Sequence, residues 1–316
     1  MARQAPWARI GTKNETQATT AVGLMSQAGL DWRVNLEEIE TTSGLQINDR
    51  FATVKVNGDD STVLSVVGSR YNVIQNAEVF SCLDDVVGSG EARYAAAGEL
   101  GGGKVVWTVL ALPQDVNVGS DPHNAFILAR SSHDGSTPFQ ITPIVQRLNC
   151  TNQINLMMFK GRATQQYYSI RHTTNSTINV NDVRLALNVV RENMNEYVDV
   201  SNWLVSQKMN DQEFSNFSKV VYPLSAKIEF SSDDLLSASE KRMRTAVLRN
   251  RQRAMTVWIG DTDTQHNIYG TKFGAFQAIV EVSDHYAKSK DKQAEKSLLG
   301  KDIVVKQRAL ELLTKV

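Results

Sequence analysis

The sequence predicts an α+β protein: an antiparallel β-sheet domain with packed helices over residues 1–175, followed by a helical subdomain over residues 176–316. Three observations carry this expectation. First, short β-branched runs alternate with turn signals before residue 175, and "FATVKVN" and "TVLSVV" flank Asn57-Gly58-Asp59-Asp60, a turn sequence that tolerates positive φ. Second, too few helical segments separate these runs to supply the crossovers that parallel strands need. Third, the period changes after Asn179. Val183, Leu187, Val190, Met194, Tyr197, Ser201 and Leu204 recur at alternating steps of four and three, a stripe that packs against another helix or a second subunit.

The remaining elements follow from local signals. Asn76 is placed to cap a helix from Ala77 to Val87, with Phe80, Leu83 and Val87 on one face and Gly88 stopping it. "ARYAAAG" opens a second hairpin, and "AFILAR" and "PFQITPI" are strands parted by the turn Ser132-His133-Asp134-Gly135-Ser136. A short helix is expected around Asn149 to Met158, then a strand in "YYSIRHT". Further helices are read from Asp233 to Ala254, Thr271 to Ala287 and Lys301 to Thr314. "AKSKDKQAEKSLLGK", between the last two, reads as a polar surface connection.

One stretch imitates a nucleotide-binding motif. "AAAGELGGGKVVW", residues 95–107, holds Gly98, Gly103 and Lys104 at P-loop spacing. A P-loop needs a hydroxyl after the lysine and a following helix, to hold the metal and the phosphates. Here Val105 follows, and the run from Val105 to Leu112 before Pro113 is a strand buried on both faces. Gly101, Gly102 and Gly103 are then a hairpin turn, where glycine adopts positive φ at little cost. No nucleotide is expected at Lys104.

Composition narrows the function classes. The chain has 316 residues, and 34 Lys plus Arg balance 34 Asp plus Glu, so no global field draws it to a polyanion. Cys82 and Cys150 are the only cysteines, which excludes a disulfide framework and a Cys-based zinc site. The N-terminus lacks the apolar region of a signal peptide, and no apolar run reaches the roughly 20 residues of a membrane span. A soluble, cytoplasmic protein without cofactor is expected.

Local charge offers two binding candidates. "EKRMRTAVLRNRQR", Glu240 to Arg253, carries six basic residues and one acid. On a helix Arg242, Ala246, Arg249 and Arg253 share one face, with Lys241 and Arg244 beside it, and such a ladder can follow a phosphate backbone. The plain alternative is a solvated face pairing with acidic neighbours. "FKGRATQQYYSIRHT" sets Arg162 and Arg171 near Tyr167 and Tyr168, cations among aromatics as in single-strand binding. Adjacent tyrosines on a strand point to opposite faces, so only one can serve such a surface. The histidines, His123, His133, His172, His266 and His285, show no metal-ligand spacing, and no G-x-S-x-G elbow is present.

Taken in order, several stretches resemble a family often labelled phage/plasmid-like protein, a domain of unknown function found in phages, prophages and plasmids. They are "PWARIGT", "AGLDWRV", "VVGSRYNVIQNAEVFSCLDDVV", "AAGELGGGKVVWTVLALP", "SSHDGST", "RLNCTNQINL", "SIRHT" and "GTKFGAFQAIVEVSDH". Phe273 and Gln277 depart from the tryptophan and asparagine expected there. The resemblance brings no catalytic residues. It implies a setting of DNA replication, recombination or host takeover. The unit from Phe51 to Pro113 is similar in topology to phage single-strand annealing proteins, which oligomerise and bind DNA in a basic groove. The expectation is therefore a non-enzymatic, homo-oligomeric protein that binds single-stranded DNA. Its rival is a protein–protein module acting on host machinery through the apolar stripe and the lysine-rich connection.

Overall fold

A computed structural model of the chain describes residues 5, 7–148, 152–155, 168–173, 178, 180–260, 264–286, 289–299 and 302–315. The N-terminal half opens with α1 (Trp7–Ile10), β1 (Thr12–Lys13) and α2 (Ala21–Ala28), the last capped by Thr20 and closed by Gly29 at φ 66°. Next come β2 (Arg33–Glu40), β3 (Gln46–Asn57) and β4 (Asp60–Gly68), a three-stranded antiparallel meander. Asn57 pairs with Asp60 across the two-residue turn Gly58-Asp59, and Gly58, the first central residue, takes φ 62°, where glycine is favoured.

The helix expected from Ala77 to Val87 is two pieces, α3 (Asn76–Ser81) and α4 (Asp84–Gly88). Its cap is Gln75, in a capping box with Glu78. Asn76 turns inward instead, where Nδ2 donates to the Leu30 carbonyl at 3.0 Å and Oδ1 meets His133 Nε2 at 2.8 Å. A buried amide with such partners holds the loop before β2 against the helix.

The central sheet follows: β5 (Arg93–Leu100), β6 (Val105–Val118), β7 (Asp121–Ser132), β8 (Phe139–Arg147), β9 (Gln153–Asn155) and β10 (Tyr168–Ile170). Strand order is β1-β5-β6-β7-β8-β10, with β9 also paired to β8, and every pair is antiparallel. Two differences from the sequence expectations have simple causes. β6 runs on past Pro113 because the register shifts between Ala111 and Asp115, and such an irregularity accommodates the missing N–H. Gln153–Asn155 is a strand, not helix, because it pairs with Ile144, Val145 and Gln146. Lys104 ends the turn between β5 and β6, where Gly101, Gly102 and Gly103 all have positive φ. Gly98 makes room for an indole: a Cβ there would lie 2.7 Å from the buried Trp107 ring.

Helices cover both sheet faces, which is why Val105 to Ala111 is buried throughout. On one face lie α2, α3 and α5 (Val180–Ser206), with α9 (Lys272–His285) beyond, in one continuous apolar core. Between them come α6 (Asp211–Val221), α7 (Ala226–Phe230) and α8 (Ala238–Trp258), preceded by a 3-10 turn at Asp233–Leu235. The other face is covered by α1 and by α10 (Lys290–Leu298). The lysine-rich stretch is therefore a helix rather than a bare connection, anchored by buried Ala294 and Leu298. Last is α11 (Ile303–Thr314), packed on α9 and α6.

Candidate nucleic-acid interface

The β3–β4 hairpin ends, away from its turn, at Asp49, Arg50, Gly68, Ser69 and Arg70. Arg50 pairs with Gly68, and a Cβ on Gly68 would sit 3.7 Å from an Arg50 guanidinium nitrogen, so that side chain lies back over the strand. Tyr71 then leaves the strand and forms a β-bridge with Thr173. Its ring stacks on His172, and its hydroxyl donates to the Ser132 carbonyl at 2.8 Å. His172 Nε2 meets Ser131 Oγ at 3.2 Å and Nδ1 meets the Asn72 carbonyl at 3.1 Å. Burial pushes the Tyr71 phenol up, with Asp134 adding to it, and pushes His172 down. The floor of the site is thus uncharged near neutral pH.

This floor fixes the segment Arg171 to Thr173 beside the hairpin end. Arg50, Arg70 and Arg171, all exposed, converge on one open cleft of about 720 Å³, with Ser69 and Thr173 hydroxyls and the Asp49 carboxylate also on its wall. Among the described residues of its lining, three guanidiniums against one carboxylate favour an anion, and guanidinium forks match phosphate oxygens.

The second basic feature lies on α8, which begins with a capping box between Ser237 and Glu240. Its cations divide into two sets. Lys241, Arg242 and Arg249 are exposed, and their side-chain cations make no ion pair or hydrogen bond among the described residues. The others are engaged within the fold. Arg244 grips the Ile228 and Ser231 carbonyls and Asp233. Arg253 donates to the Tyr286 carbonyl with its guanidinium 5.6 Å from that ring, and buried Arg251 bonds Glu229 and the Tyr222 carbonyl. The ladder read from the sequence is therefore split, with Arg244 and Arg253 holding structure.

Of the second sequence candidate, Arg162 and Tyr167 lie outside the described residues, as does the side chain of Tyr168, whose backbone begins β10 opposite Ile141. Arg171 is at the cleft. Sequence reasoning missed Arg50 and Arg70, although counting outward from the Asn57-Gly58 turn sets Arg50 beside the end of the partner strand. The apolar stripe of α5 faces inward: Met194, Tyr197, Ser201 and Leu204 are buried, and α5 packs on α9, β6 and β8. It is satisfied within the chain over this part, and the side chains of Val183, Leu187 and Val190 lie outside the described residues. Among the described residues no group of three or more His, Cys, Asp and Glu could hold a metal ion, and no helix is long and apolar enough to cross a membrane.

No curated protein and no solved structure matches the chain. A family model does. Residues 63–303, which take in most of the sheet, the Arg70 and Arg171 side of the cleft and the α8 stripe, match the family described as Domain of unknown function (DUF932), and the chain belongs to that family.

Proposed function

We propose that the chain is a non-enzymatic single-stranded DNA-binding protein of phage or plasmid replication or recombination, acting in the annealing of strands. One observation supports this most: Arg50, Arg70 and Arg171, remote in sequence, are gathered at one open cleft. The exposed cations Lys241, Arg242 and Arg249 on α8 offer further phosphate contacts. The chain as a whole has formal net charge +0, so affinity must come from these local clusters. So few contacts hold a strand weakly at physiological salt. Useful affinity then comes from several copies on one strand, each raising the effective concentration of the next. The phage or plasmid setting rests on the family resemblance of the sequence. The test is a titration of the full chain against labelled oligo-dT over a salt series, repeated with Arg50, Arg70 and Arg171 changed together to Ala. Binding that weakens steeply with salt in the parent and is largely lost in the variant is expected. Parent-like binding by the variant would overturn the role of the cleft, and no binding by the parent would overturn the reading itself.

A further inference from the structure

At its centre the sheet of β2, β3 and β4 carries its more apolar side outward. Lys55 of β3 faces the body of the protein, over the Trp32 ring and bonded to Glu99. Thr53 and the partners of these two residues, Thr62 and Ser65, share that inner side. Ala52, Val54 and Val56, which alternate with Thr53 and Lys55, therefore point away. Val66 and Val63 of β4, paired with Ala52 and Val54, point the same way and are 55% and 64% exposed. The apolar core takes in Val34 and Leu64 of this sheet but none of these five side chains. An antiparallel sheet with one wet face normally turns its polar residues to the water. Here the pattern is inverted, and an exposed apolar face of this kind marks an interaction surface.

Two further features belong to the same surface. Beyond the Arg50–Gly68 pair β4 stops, and β2 and β3 run on to the Glu40–Gln46 pair as a two-stranded ribbon with Leu45 and Ile47 exposed. Such a ribbon is marginal by itself and gains from being covered. The charge is also one-sided. Among the exposed residues from Arg33 to Asp60, six carboxylates (Glu37, Glu38, Glu40, Asp49, Asp59 and Asp60) stand against Arg33 and Arg50.

The opposite charge accompanies apolar side chains on α7 and α8. Arg244 and Arg251 fasten the α7 segment to α8 through Asp233 and Glu229. Phe230 and Leu235, on that segment, are 82% and 71% exposed. Leu248, also exposed, is four residues from Arg244 and three from Arg251 and so stands on the same side of α8. With it on α8 are the exposed cations Lys241, Arg242 and Arg249.

We infer that the outer face of the β2–β4 sheet of one copy docks on the α7–α8 face of a second copy. Apolar side chains meet apolar side chains, and carboxylates meet cations, a complementarity that steers and registers an interface. Either surface set against its own kind would bring like charges together, so the contact is head-to-tail rather than two-fold. Each end of such an assembly keeps one surface open, and copies add into a ring or filament. A copy with its α8 uncovered keeps those cations for a strand. The contact would supply the neighbouring copies that strand binding calls for, but it does not rest on that reading and is measured without DNA, so the two can fail separately.

The experiment is sedimentation velocity of the full chain over a concentration series at low and at high salt. The mass should rise with concentration at low salt and fall towards the monomer at high salt, where the charges are screened. Val63→Thr with Val66→Thr, and separately Arg242→Glu with Arg249→Glu, should each weaken self-association at least about tenfold. Both variants should melt as the parent does, because the changed side chains are exposed. Mixed in equal amounts, the two variants should form a heterodimer and stop there, since each retains the surface that the other lacks. A parent that stays monomeric throughout, or parent-like assembly by either variant, would overturn the inference. A mixture that never exceeds the mass of its separate components would overturn it as well, by showing that each surface meets its own kind or an unrelated partner.

Discussion

Tyr71 lies on His172 with ring centroids 5.0 Å apart and planes inclined by 16°, so the exit of β4 is fastened to the segment after β10. That contact sets Arg171 opposite Arg50 and Arg70. Tyr71→Phe keeps the stacking and loses only the 2.8 Å hydrogen bond to Ser132, a cost of about 1 kcal/mol. Tyr71→Ala also removes the ring and should cost about 3 kcal/mol. Urea unfolding measures both losses. Oligo-dT binding should survive the first change and fall with the second, since only the second releases the arginine segment. Equal binding by both variants would show that this fastening does not position the cleft.

The salt dependence of binding can be counted. Each phosphate neutralised on a single strand contributes a log–log slope of about −0.7. Changing Arg50, Arg70 and Arg171 to Ala should therefore flatten the slope by about 2, and changing Lys241, Arg242 and Arg249 by about the same amount if α8 lies on the strand's path. Arg244→Ala and Arg253→Ala should instead lower stability with little change in slope, because both guanidiniums are already held by carbonyls. An unaltered slope in the α8 variant would mark that face as merely solvated.

Much of the fold was legible because local chemistry decides it. Gly58 and the Gly101 to Gly103 run need positive φ, and the step of α5 and α9 is helical whatever they pack on. Other signals were present but unread: Asn210 and Glu213 form a capping box ahead of Phe214, Phe217 and Val221, which mark α6. α10 was hidden because its apolar anchors, Ala294 and Leu298, are few among lysines. β9 could not be seen, since a three-residue strand exists only by pairing with β8. For the same reason Arg171 was a candidate and Arg50 and Arg70 were not. Their meeting depends on a tertiary contact, Tyr71 with His172, that no local pattern encodes.

Stability should fall in mild acid, and the sign follows from burial. His133 sits between Asn76 and Trp32, and burial pushes it down from 6.5 to about 4. The unfolded chain therefore binds the proton first. The neutral histidine contributes fully above pH 6.5, and that contribution, about 3 kcal/mol at most, is lost as pH falls towards 4. His123 and His172, also pushed down by burial, act in the same direction. His133→Gln can still donate to Asn76, so it should make the decline between pH 6.5 and 4 shallower without abolishing it. Thermal melting across that range reads the difference, and an unchanged profile would remove His133 from the account.

Lys306 ties α11 to the sheet. Its Nζ lies 2.6 Å from Asp284, 2.8 Å from Asp302 and 2.9 Å from the Gln153 carbonyl, and Asp284 in turn accepts from the Gln153 N–H at 2.7 Å. Burial pushes Asp284 up, against the pull of Lys306. Two carboxylates around one ammonium keep Lys306 charged, in line with its upward shift. Lys306→Met would strand a buried carboxylate and should cost about 3–5 kcal/mol in denaturant unfolding. Adding Asp284→Leu should recover much of that loss, because the pair is then replaced by apolar bulk. A cost below about 1 kcal/mol for Lys306→Met would mean that the group is better hydrated than its enclosure indicates.

The α5 stripe supplies the last test, because two readings of Met194 differ in outcome. As part of an interface between copies, it would be covered only on assembly, and Met194→Lys would leave a folded monomer. The fold favours the other result. Met194 is 7% exposed, in the same core as Tyr197 and Leu204, on a helix packed against α9, β6 and β8. An ammonium there must be desolvated without a partner, which costs several kcal/mol or forces the helix from the sheet. Met194→Lys should therefore lower the melting temperature sharply, while Met194→Leu, similar in volume, costs less than about 1.5 kcal/mol. Whatever fraction of Met194→Lys stays folded should keep the parent's mass in light scattering. A well-folded Met194→Lys protein that has only lost mass would show that α5 is an interface, and assembly on DNA would then run through this helix.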